Sequence, residues 1–491
     1  MDKKNMNSLS SYKNINMHLL TINNNYYAFD IEELIPIKID LQTFRLLSQI
    51  KKIGIDKINI NEDEINLLNQ FIDNGLLFKK YDEIQMKLSI PYNIGRVSFP
   101  TIHNCNFNCK YCFAQGSNNY NEEIKEIKED MLHKILEFLY SEYFSQYKTI
   151  RFDFVSGGEP LLNFNLIKLL VKLSKNYNKK YSKNSYIWMC SNGYLLNDSI
   201  LEYLDFNKIG LGISFDGVKD YHDGQRILKN GEPTYNIIFN KIKQITENEK
   251  LSAFTKDFWG LCVITSKIKS IIEIVENVMA IKIKNYQMKL SRLKANNELA
   301  ITNRNIDQLK TIYTDFSQYL KDKIGAGNFD PLFLILNDYD VFGKLILRLL
   351  LQIKNIRRCG AGITKISICA NGDIYPCDSF VGKKEFRIGN INNTDYNNLA
   401  LSEKNTIYSS KDCNKCWLRY LCGGDCFHNA YLWTSNINKP DEVFCAMNNH
   451  LVILAIDIIN KITELNTFQQ NTIYKYASIK YASITGGIIE S

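Results

Sequence analysis

The sequence lacks the features that mark secreted and membrane proteins. Residues 1–20 contain no apolar stretch flanked by cations, and no uninterrupted run of about 18 apolar residues occurs anywhere in the chain. The first absence argues against a secretory signal, and the second argues against a membrane-spanning helix. We therefore expect a cytoplasmic protein that binds no membrane.

The chain also lacks a concentrated positive charge. Its 60 lysines and arginines against 52 acidic residues give a net charge of +8, which is modest for 491 residues. The lysines and arginines are scattered and form no stripe, so nucleic-acid binding is not expected. A chain of this length is too long for one hydrophobic core, and two or three domains are expected.

A fourth ligand is missing from the first cysteine cluster. The run Cys-Asn-Phe-Asn-Cys-Lys-Tyr-Cys contains Cys105, Cys109 and Cys112, and no further cysteine follows nearby. Four thiolates normally hold a four-iron cluster, so three leave one iron with an open position that can bind a cofactor. A structural zinc site needs four closed ligands. The 13 cysteines, an odd number in clusters, predict metal ligands and not a disulfide framework.

The spacing Cys-x3-Cys-x2-Cys, with Tyr111 before the third cysteine, resembles the signature of the radical S-adenosylmethionine (SAM) enzymes. The resemblance implies that the open iron binds the amino and carboxylate groups of SAM. It also implies that an electron cleaves SAM to methionine and a 5′-deoxyadenosyl radical, which takes a hydrogen atom from the substrate. Because oxygen destroys exposed clusters of this kind, an anaerobic setting is expected.

A glycine-rich segment follows the predicted strand 149–155. Glycines there let the backbone come close to a ligand, and a carboxylate among them can pair with a cationic amine. The segment matches the Gly-Gly-Glu-Pro motif of the family, which implies that Gly157, Gly158 and Glu159 hold the amino group of SAM. An ordinary turn between a strand and a helix is the alternative.

Two further strand ends resemble SAM-binding elements. Asn192, after the predicted strand 186–190, is similar to the residue beside the ribose. Ser214 ends the predicted strand 209–214, and Arg226 follows it; related peptide-modifying enzymes place a serine and an arginine near SAM. A guanidinium pairs with a carboxylate in a two-pronged fork, which suits the SAM carboxylate. A surface loop is the alternative for Arg226.

Short apolar runs alternate with longer amphipathic stretches between Val97 and about residue 310. Apolar residues at helical spacing predict helices over 131–143 and 235–246. The alternation predicts an α/β fold with parallel strands and crossover helices, whose active site lies at the carboxyl ends of the strands. The resemblance implies a partial (β/α)6 barrel over residues 95–325, followed by a helical linker at 326–356.

A second cysteine-rich block resembles the SPASM extension, which holds two auxiliary four-iron clusters in peptide-modifying radical SAM enzymes. The resemblance places this domain at 357–450, with a C-terminal helix and polar tail at 451–491. It divides seven cysteines between an outer cluster, held by Cys413, Cys416, Cys422 and Cys445, and an inner cluster, held by Cys359, Cys377 and Cys426. Zinc ribbons are the alternative, since Cys-x2-Cys recurs in them.

Three cysteines lie outside these groups. Cys369 occupies a stretch that predicts two strands joined by an Asn-Gly turn, and the sequence leaves open whether it closes the inner cluster. Cys190 and Cys262 lie in apolar strand contexts and are predicted core residues. Near the C-terminus, Lys475–Ile479 repeats as Lys480–Ile484, which suggests a docking strand or a poorly ordered tail.

Residues 1–90 contain no motif that carries chemistry. They predict a β-hairpin across an Asn turn and helices over 41–50 and 62–74, the second with a capping-box start at Asn61. This order resembles the winged-helix precursor-recognition domain of many peptide maturases, whose exposed sheet edge can capture a leader peptide as an added strand. A domain that only packs on the barrel is the alternative.

The motifs together resemble the thioether-forming maturases of clostridial cysteine-rich peptides. Their Cys-Gly-Ala-Gly and Gly-Asp-x-Tyr-Pro-Cys segments are similar to residues 359–362 and 372–377. The resemblance implies an enzyme that modifies a ribosomally made precursor peptide with a leader, joining a cysteine sulfur to a carbon after hydrogen abstraction. It implies SAM and three four-iron clusters, one SAM-binding and two auxiliary. It also implies a flavodoxin- or ferredoxin-type electron donor.

Three other functions stay open at this point. The first is sulfatase maturation, the oxidation of Cys or Ser to formylglycine, in which Asp378 matches the carboxylate proposed as the proton acceptor; a solvated turn is the other reading of Asp378. The predicted amino-terminal recognition domain argues against this function, because sulfatase maturation needs no leader recognition. The second is a carbon–carbon crosslinking peptide cyclase of the same group. The third is an electron-transfer protein without SAM, which the segment Gly157–Pro160 disfavours.

Overall fold

The computed structural model describes residues 16–77, 94–98, 102–112, 114, 126–155, 157–392, 401 and 405–485. At the amino-terminal end, β1 (Met17–Ile22), β2 (Asn25–Asp30) and β3 (Ile35–Ile39) form an antiparallel sheet in chain order. The predicted hairpin is thereby confirmed, while β3 was not predicted.

Two helices cover this small sheet. Helix α1 (Leu41–Ile53) begins after Asp40, whose carboxylate accepts the Thr43 N–H at 2.7 Å. Helix α2 (Glu62–Asp73) begins with the predicted capping box, in which Asn61 and Glu64 each accept the backbone N–H of the other. Apolar residues of both helices and of β1 and β2 form a small core of their own, while other residues of these two strands, such as Leu20 and Phe29, belong to the main core.

Six strands form the central parallel sheet in chain order, which confirms the α/β prediction. They are β4 (Ile94–Ser98), β5 (Thr149–Phe154), β6 (Asn184–Ser191), β7 (Gly210–Ser214), β8 (Trp259–Ile264) and β9 (Asn285–Leu290). Between them lie α3 (Glu129–Glu137), which continues as π-helix over Phe138–Tyr143, α4 (Phe164–Tyr181), α5 (Asp198–Phe206), α6 (Lys219–Gln225), α7 (Tyr235–Glu247), α8 (Ala253–Lys256) and α9 (Ile271–Ala280).

The carboxyl-terminal part extends the same sheet. Strand β10 (Lys365–Ile368) pairs in parallel with β4, and β11 (Asp373–Tyr375) and β12 (Gly389–Asn390) follow in antiparallel order. The predicted Asn-Gly hairpin is confirmed as β10–β11. The remaining helices are α10 (Ile306–Gly325), α11 (Asp330–Ile335), α12 (Gly343–Leu350), α13 (Lys411–Lys415), α14 (Arg419–Cys422), α15 (Phe427–Thr434), α16 (Glu442–Thr463) and α17 (Thr467–Thr485).

Charged and aromatic side chains pack around the middle of the strands. The buried Asp153 carboxylate pairs with Arg96 at 2.7 Å and with Arg151 at 2.6 Å. A Cβ atom on Gly212 would lie within 3 Å of the Trp188 ring, so this glycine makes room for the indole. A ligand site at the carboxyl ends of the strands stays the prediction from the sequence.

Among the described helices, only α16 is long and apolar enough to cross a membrane. More than half of its most apolar stretch is buried within the protein, where α16 packs on α10 and α12. Its apolar composition is therefore explained by packing in the core.

Helix α17 contains the repeated Lys-Tyr-Ala-Ser-Ile segment. The prediction of a docking strand or a poorly ordered tail was therefore wrong for these residues. The Tyr476 ring stacks on Phe333 at 4.0 Å, and Lys480 donates a hydrogen bond to Asn285. Tyr476 and Lys480 are four residues apart, so they lie on one face of a helix, and that face contacts the protein.

Candidate cofactor and cluster site

The loop with the first three cysteines is held between two other segments of the barrel. On one side, Asn104 bridges Gly158 as a parallel strand pair, and the Asn104 carbonyl accepts the Glu159 N–H at 2.9 Å. On the other side, the Asn108 N–H donates to the Ile227 carbonyl at 2.8 Å. The segments after β4, β5 and β7 therefore meet at the carboxyl end of the sheet, where the sequence places the cofactor.

The three thiols of this loop lie close enough for their charges to interact. Burial, the charge at Glu159 and the charge at Cys112 raise the pKa of Cys105 to about 11. Burial raises the pKa of Cys109 to about 12, against the opposing charge of Arg226 and with a contribution from the other two thiolates. Because iron binds the thiolate, loading this site releases protons.

Gly158 packs directly against the cysteine loop. Its φ of +110° is a conformation that L-residues rarely adopt, and a Cβ atom there would lie far inside van der Waals contact with the carbonyl oxygens of Asn104 and Ile102. Gly157 also has a positive φ, of +77°. Residue 158 must therefore be a glycine partly because the cysteine loop leaves no room for a Cβ atom there.

We expect Gly158→Ala to destabilise the protein by roughly 2–6 kcal/mol, because backbone strain and overpacking add. Anaerobic urea unfolding measures this loss. Gly224→Ala is the matched control, since no atom lies within 4 Å of its Cβ position, and it should leave stability nearly unchanged. Equal unfolding midpoints for the two variants would contradict the steric argument.

Glu159 is buried and is bonded to the protein's own donors. Its carboxylate accepts the Ser191 hydroxyl and the Asn192 N–H, both at 2.7 Å, and the Leu161 N–H at 3.1 Å. Burial raises the pKa of Glu159 to about 7, against the effect of these hydrogen bonds. A carboxylate offers about four lone-pair sites, so one remains for an external donor such as an ammonium group.

Asn192 connects the end of β6 to the cysteine loop. Its amide donates to the Asn106 side-chain oxygen at 2.8 Å and lies 3.9 Å from the Cys105 sulfur, while its own oxygen accepts the Tyr194 N–H. Ser214, one strand further along, has its hydroxyl 3.6 Å from the Cys190 sulfur.

Cys190 is only half-buried, whereas Cys262 is buried in the core as predicted.

Arg226 is buried, which excludes the surface-loop alternative. Its Nε donates to Asp216 at 2.8 Å and its Nη2 at 3.4 Å, and the guanidinium lies 5.1 Å from the centre of the Tyr111 ring. Although burial acts to raise it, the charge of Arg226 keeps the pKa of Asp216 below its ordinary value. Asp216 had been given no role from the sequence; its position after a strand end was the available signal.

Asp378 is mostly buried and forms an ion pair, which excludes the solvated-turn reading. It follows Cys377 directly, and its carboxylate lies 2.5 Å from the ammonium of Lys365 on β10. Burial acts to raise the pKa of Asp378, but Lys365 and Arg292 hold it below the ordinary value. A carboxylate held in this way accepts a proton less readily unless Lys365 moves away.

Several cysteines of the carboxyl-terminal part lie within electrostatic range of one another. Cys359 and Cys377 interact electrostatically with each other and with Cys426, and the burial of Cys377 raises its pKa to about 12. Cys445, whose pKa is raised by burial, interacts in the same way with the other three members of the outer group, Cys413, Cys416 and Cys422.

Within the described ranges, no three Cys, His, Asp or Glu side chains converge as ligands of one metal ion. Which cysteines hold which cluster is therefore a proposal. Cys369 is fully buried in an apolar cluster with Phe380 and Phe427, against which both Cys112 and Cys377 pack. This apolar cluster therefore lies between Cys112 of the first cysteine loop and Cys377 of the inner group.

The amino-terminal unit contacts the outer cysteine group. The His18 ring stacks on Trp417 at 4.2 Å, and Phe29 meets the edge of the same indole at 5.4 Å. Glu32 pairs with Arg419 at 3.2 Å. Burial and the charge of Lys51 lower the pKa of His18 to about 4, so this ring is neutral at physiological pH. Trp417 directly follows Cys416, and this contact was not predicted.

Comparison with known proteins finds two domain families in the chain. The radical SAM superfamily matches residues 99–257, and the SPASM iron–sulfur cluster-binding domain matches residues 359–417. The serine-type anaerobic sulfatase-maturating enzyme of Bacteroides thetaiotaomicron is 24% identical over 364 residues, which are 68% of this chain and 82% of that enzyme. The radical SAM cyclopropyl synthase TigE of Paramaledivibacter caminithermalis is 22% identical over 457 residues, which are 84% of this chain and 89% of that enzyme.

A solved structure has the same fold. Native anSMEcpe with bound AdoMet and Kp18Cys peptide superposes with a TM-score of 0.61 at 20% identity, covering 76% of this chain and 99% of that one.

Proposed function

Because the chain joins a radical SAM domain to a SPASM iron–sulfur domain, we propose that this enzyme modifies a ribosomally made precursor peptide and forms thioether links between cysteine sulfur and carbon. The observation that carries the proposal is the junction of three segments at the carboxyl end of the sheet, where the cysteine loop meets the glycine pair and Arg226. An amino-terminal sheet attached to the same body supports a peptide substrate.

The residues at this junction fit SAM and a cluster with an open iron. Cys105, Cys109 and Cys112 would hold the cluster, and SAM bound there supplies a 5′-deoxyadenosyl radical on reduction. Glu159 has a free lone-pair site for the amino group of SAM, and Arg226 has one terminal nitrogen not engaged by Asp216. Gly157 and Gly158, Asn192 and Ser214 would complete the cofactor site.

A peptide substrate is supported by the amino-terminal unit. In the described part of the chain, β3 pairs with β2 on one side only, so its other edge can accept an added strand. The solved structure that shares this fold, native anSMEcpe, contains a bound peptide. We propose that the β3 edge captures the leader, while the core of the peptide reaches the junction at the strand ends.

Sulfatase maturation is the second candidate, and two observations favour it. One of the relatives described above is an anaerobic sulfatase-maturating enzyme. In addition, Asp378 occupies a mostly buried position beside the inner cysteine group. A low pKa makes Asp378 a poor proton acceptor in its present pairing with Lys365. The second candidate therefore requires that substrate binding separate this ion pair.

Mass spectrometry of a co-expressed peptide distinguishes the two functions. A small cysteine-rich candidate precursor peptide is expressed with the enzyme under anaerobic conditions, and the recovered peptide is digested and sequenced. A thioether removes two hydrogen atoms, retains sulfur and leaves one cysteine that cannot be alkylated. Formylglycine from cysteine removes two hydrogen atoms and replaces sulfur by oxygen, and formylglycine from serine removes two hydrogen atoms but leaves every cysteine open to alkylation. A peptide recovered unchanged, with active SAM cleavage, would contradict the thioether proposal for this substrate.

Anaerobic reconstitution is expected to load about twelve irons per chain, because ten thiolates in three groups would hold three four-iron clusters. Iron, labile sulfide and zinc are measured in the same sample. The control is the variant with alanine at all four cysteines of the outer group, which should lose about four irons. Saturation near four irons, together with tightly bound zinc, would show that the C-terminal block is a zinc module.

A further inference from the structure

Strand β9 carries a row of three polar side chains on one face of the sheet. Asn285, Gln287 and Lys289 alternate with two residues that are fully buried in the main core. The row runs from the amino end of the strand to its carboxyl end. At the amino end, Asn285 donates to the Asp257 carbonyl at 2.8 Å and accepts a hydrogen bond from Lys480, so this position is occupied by the protein itself.

The row lies on the inner face of the sheet, the face that the predicted cofactor residues share. Gln287 lies beside Leu261 of β8, which lies beside Ser214 of β7. A Cβ atom on Gly212 would meet both the Trp188 ring and the Leu261 side chain, so these residues share one face. Since neighbouring strands lie about 4.8 Å apart, the backbones at Gln287 and Ser214 are roughly 10 Å apart.

Gln287, in the middle of the row, has an unused hydrogen-bond acceptor. The residue is only 6% exposed, and its Oε1 atom is buried without a hydrogen-bond partner among the described residues. A buried carbonyl oxygen without a donor is costly, so a donor from outside the chain would stabilise this position. The backbone N–H of a peptide is a donor of this kind.

Lys289, at the carboxyl end of the row, has an unused charge. Its side chain is exposed, so it can reach a ligand that enters at the carboxyl ends of the strands. In the described part of the chain its ammonium forms neither a hydrogen bond nor an ion pair, and it lies 5.9 Å from the centre of the Tyr339 ring. The Tyr339 hydroxyl accepts a hydrogen bond from Arg96 at 3.4 Å. The first and last strands of the parallel sheet, β4 and β9, therefore approach each other around Tyr339.

Two nearby carboxylates are already paired with other cations. Asp153 accepts hydrogen bonds from Arg96 and Arg151, and Asp378 lies 2.5 Å from Lys365, which is the neighbour of Arg96 on β10. The lysine of β9 therefore adds a positive charge that these two acids do not neutralise.

An anionic ligand would balance this charge. Burial, with the charges of Arg292 and Lys365, lowers the pKa of Lys289 to about 8, whereas Asp378 acts to raise it. A carboxylate at the ammonium forms a charge-assisted hydrogen bond and offsets the repulsion from the other two cations. An acidic residue of a peptide, or the C-terminal residue, carries a carboxylate close to a backbone N–H, which matches the acceptor and the cation on β9.

We propose that Gln287 and Lys289 form a specificity site for a carboxylate of the peptide substrate. Gln287 Oε1 accepts the backbone N–H of the residue that carries the carboxylate, and Lys289 donates to the carboxylate itself. The site holds that residue beside the predicted cofactor site and so selects which part of the peptide the radical meets. The inference rests on the proposed function, since it assumes a peptide substrate.

Protection of Lys289 from acetylation tests the site without turnover. The reconstituted full-length enzyme reacts with N-hydroxysuccinimidyl acetate near neutral pH, and mass spectrometry gives the acetylation rate of each lysine. The probes are the blocked tripeptide Gly-Asp-Gly, its counterpart Gly-Asn-Gly, and acetylated Gly-Gly with a free carboxyl end. The concentration that halves the rate at Lys289 should be about tenfold lower for the Asp probe than for the Asn probe, as expected for one charge-assisted hydrogen bond.

An internal control and a second variant make the protection specific. Lys294 is an exposed lysine just after β9, and its acetylation should respond to none of the probes. Gln287→Leu removes the acceptor and should weaken protection of Lys289 by the Asp probe. Equal protection by the Asp and Asn probes, or unchanged protection in Gln287→Leu, would overturn the inference. Protection by the probe with a free carboxyl end, and not by the Asp probe, would assign the site to the C-terminus of the peptide.

SAM also has a carboxylate, so the enzyme with SAM and without any peptide is measured in the same way. SAM alone should leave the acetylation of Lys289 unchanged. Protection by SAM alone would place Lys289 in the cofactor site and would show that the inference is wrong.

Turnover of the candidate precursor peptide separates the inference from the proposed function. Lys289→Met should raise the KM for the peptide about tenfold, Lys289→Arg should recover much of the loss, and Lys294→Met should have no effect. Changing the recognised acid of the peptide to its amide should add little to Lys289→Met, because both remove one interaction. Equal KM values for Lys289→Met and the parent would contradict the inference and leave the proposed function. A peptide that is not modified, with Lys289 still protected by the Asp probe, would contradict the proposed function and leave the carboxylate site.

Discussion

Replacing any one of Cys105, Cys109 or Cys112 by alanine is expected to abolish 5′-deoxyadenosine formation. Each change removes one of only three ligands, and the remaining two thiolates cannot hold the cluster that cleaves SAM. The auxiliary groups lie on other segments, so their iron should stay and total iron should fall by about four per chain. The assay measures 5′-deoxyadenosine under anaerobic conditions with dithionite as the reductant.

Cys262→Ala is the matched control for the triplet. Cys262 is buried in the sheet and lies outside all three ligand groups, so its loss should leave the iron content unchanged. SAM cleavage that persists in any of the three triplet variants would contradict the assignment of the triplet. Loss of auxiliary iron along with the triplet iron would instead indicate a folding defect. The Cys262→Ala variant measures how much iron is lost when a buried cysteine outside the ligand groups is removed.

Deleting residues 1–90 is expected to stop peptide modification and to spare uncoupled SAM cleavage. Leader capture on a sheet edge raises the effective concentration of the core peptide at the active site, so its loss acts on peptide binding and not on radical formation. The deletion also uncovers Trp417, on which His18 and Phe29 pack, so iron at the outer group must be measured in the truncated protein. The comparison uses soluble, iron-loaded protein from size-exclusion chromatography.

A leaderless peptide provides the control for the deletion. The full-length enzyme with a leaderless peptide should be as slow as the truncated enzyme with the complete peptide, and combining both deletions should cause little further loss, because both remove one interaction. Full turnover of the complete peptide by the truncated enzyme would remove the recognition role. Aggregation of the truncated protein would favour the alternative in which the unit only covers apolar surface.

The elements predicted correctly are those whose signal lies within a few residues in the sequence. The strands before Gly157 and Asn192, the capping box at Asn61 and the Asn-Gly hairpin all have signals within a few residues, and the structure contains them. Strand β3 was missed because it is short and contains Pro36, which is a signal against a strand. The division of the cysteines among three clusters stays a prediction.

Features that depend on distant partners could not be predicted. The pairing of Arg226 with Asp216, the inward hydrogen bonds of Glu159 and the contact of His18 with Trp417 are set by how separate segments pack.

The pairing of β10 with β4 has a consequence for the order of folding. The first strand of the barrel has β5 on one side, but its other neighbour arrives late in synthesis: the Ser367 hydroxyl donates to the Ser98 carbonyl across 269 residues. Contacts between such distant residues form slowly, because a long loop must close first. During translation, one edge of β4 therefore stays unpaired until the last third of the polypeptide leaves the ribosome. The cysteine loop that follows β4 gains its final support only then, so a nascent chain that stalls before β10 would expose both an open edge and reactive thiols.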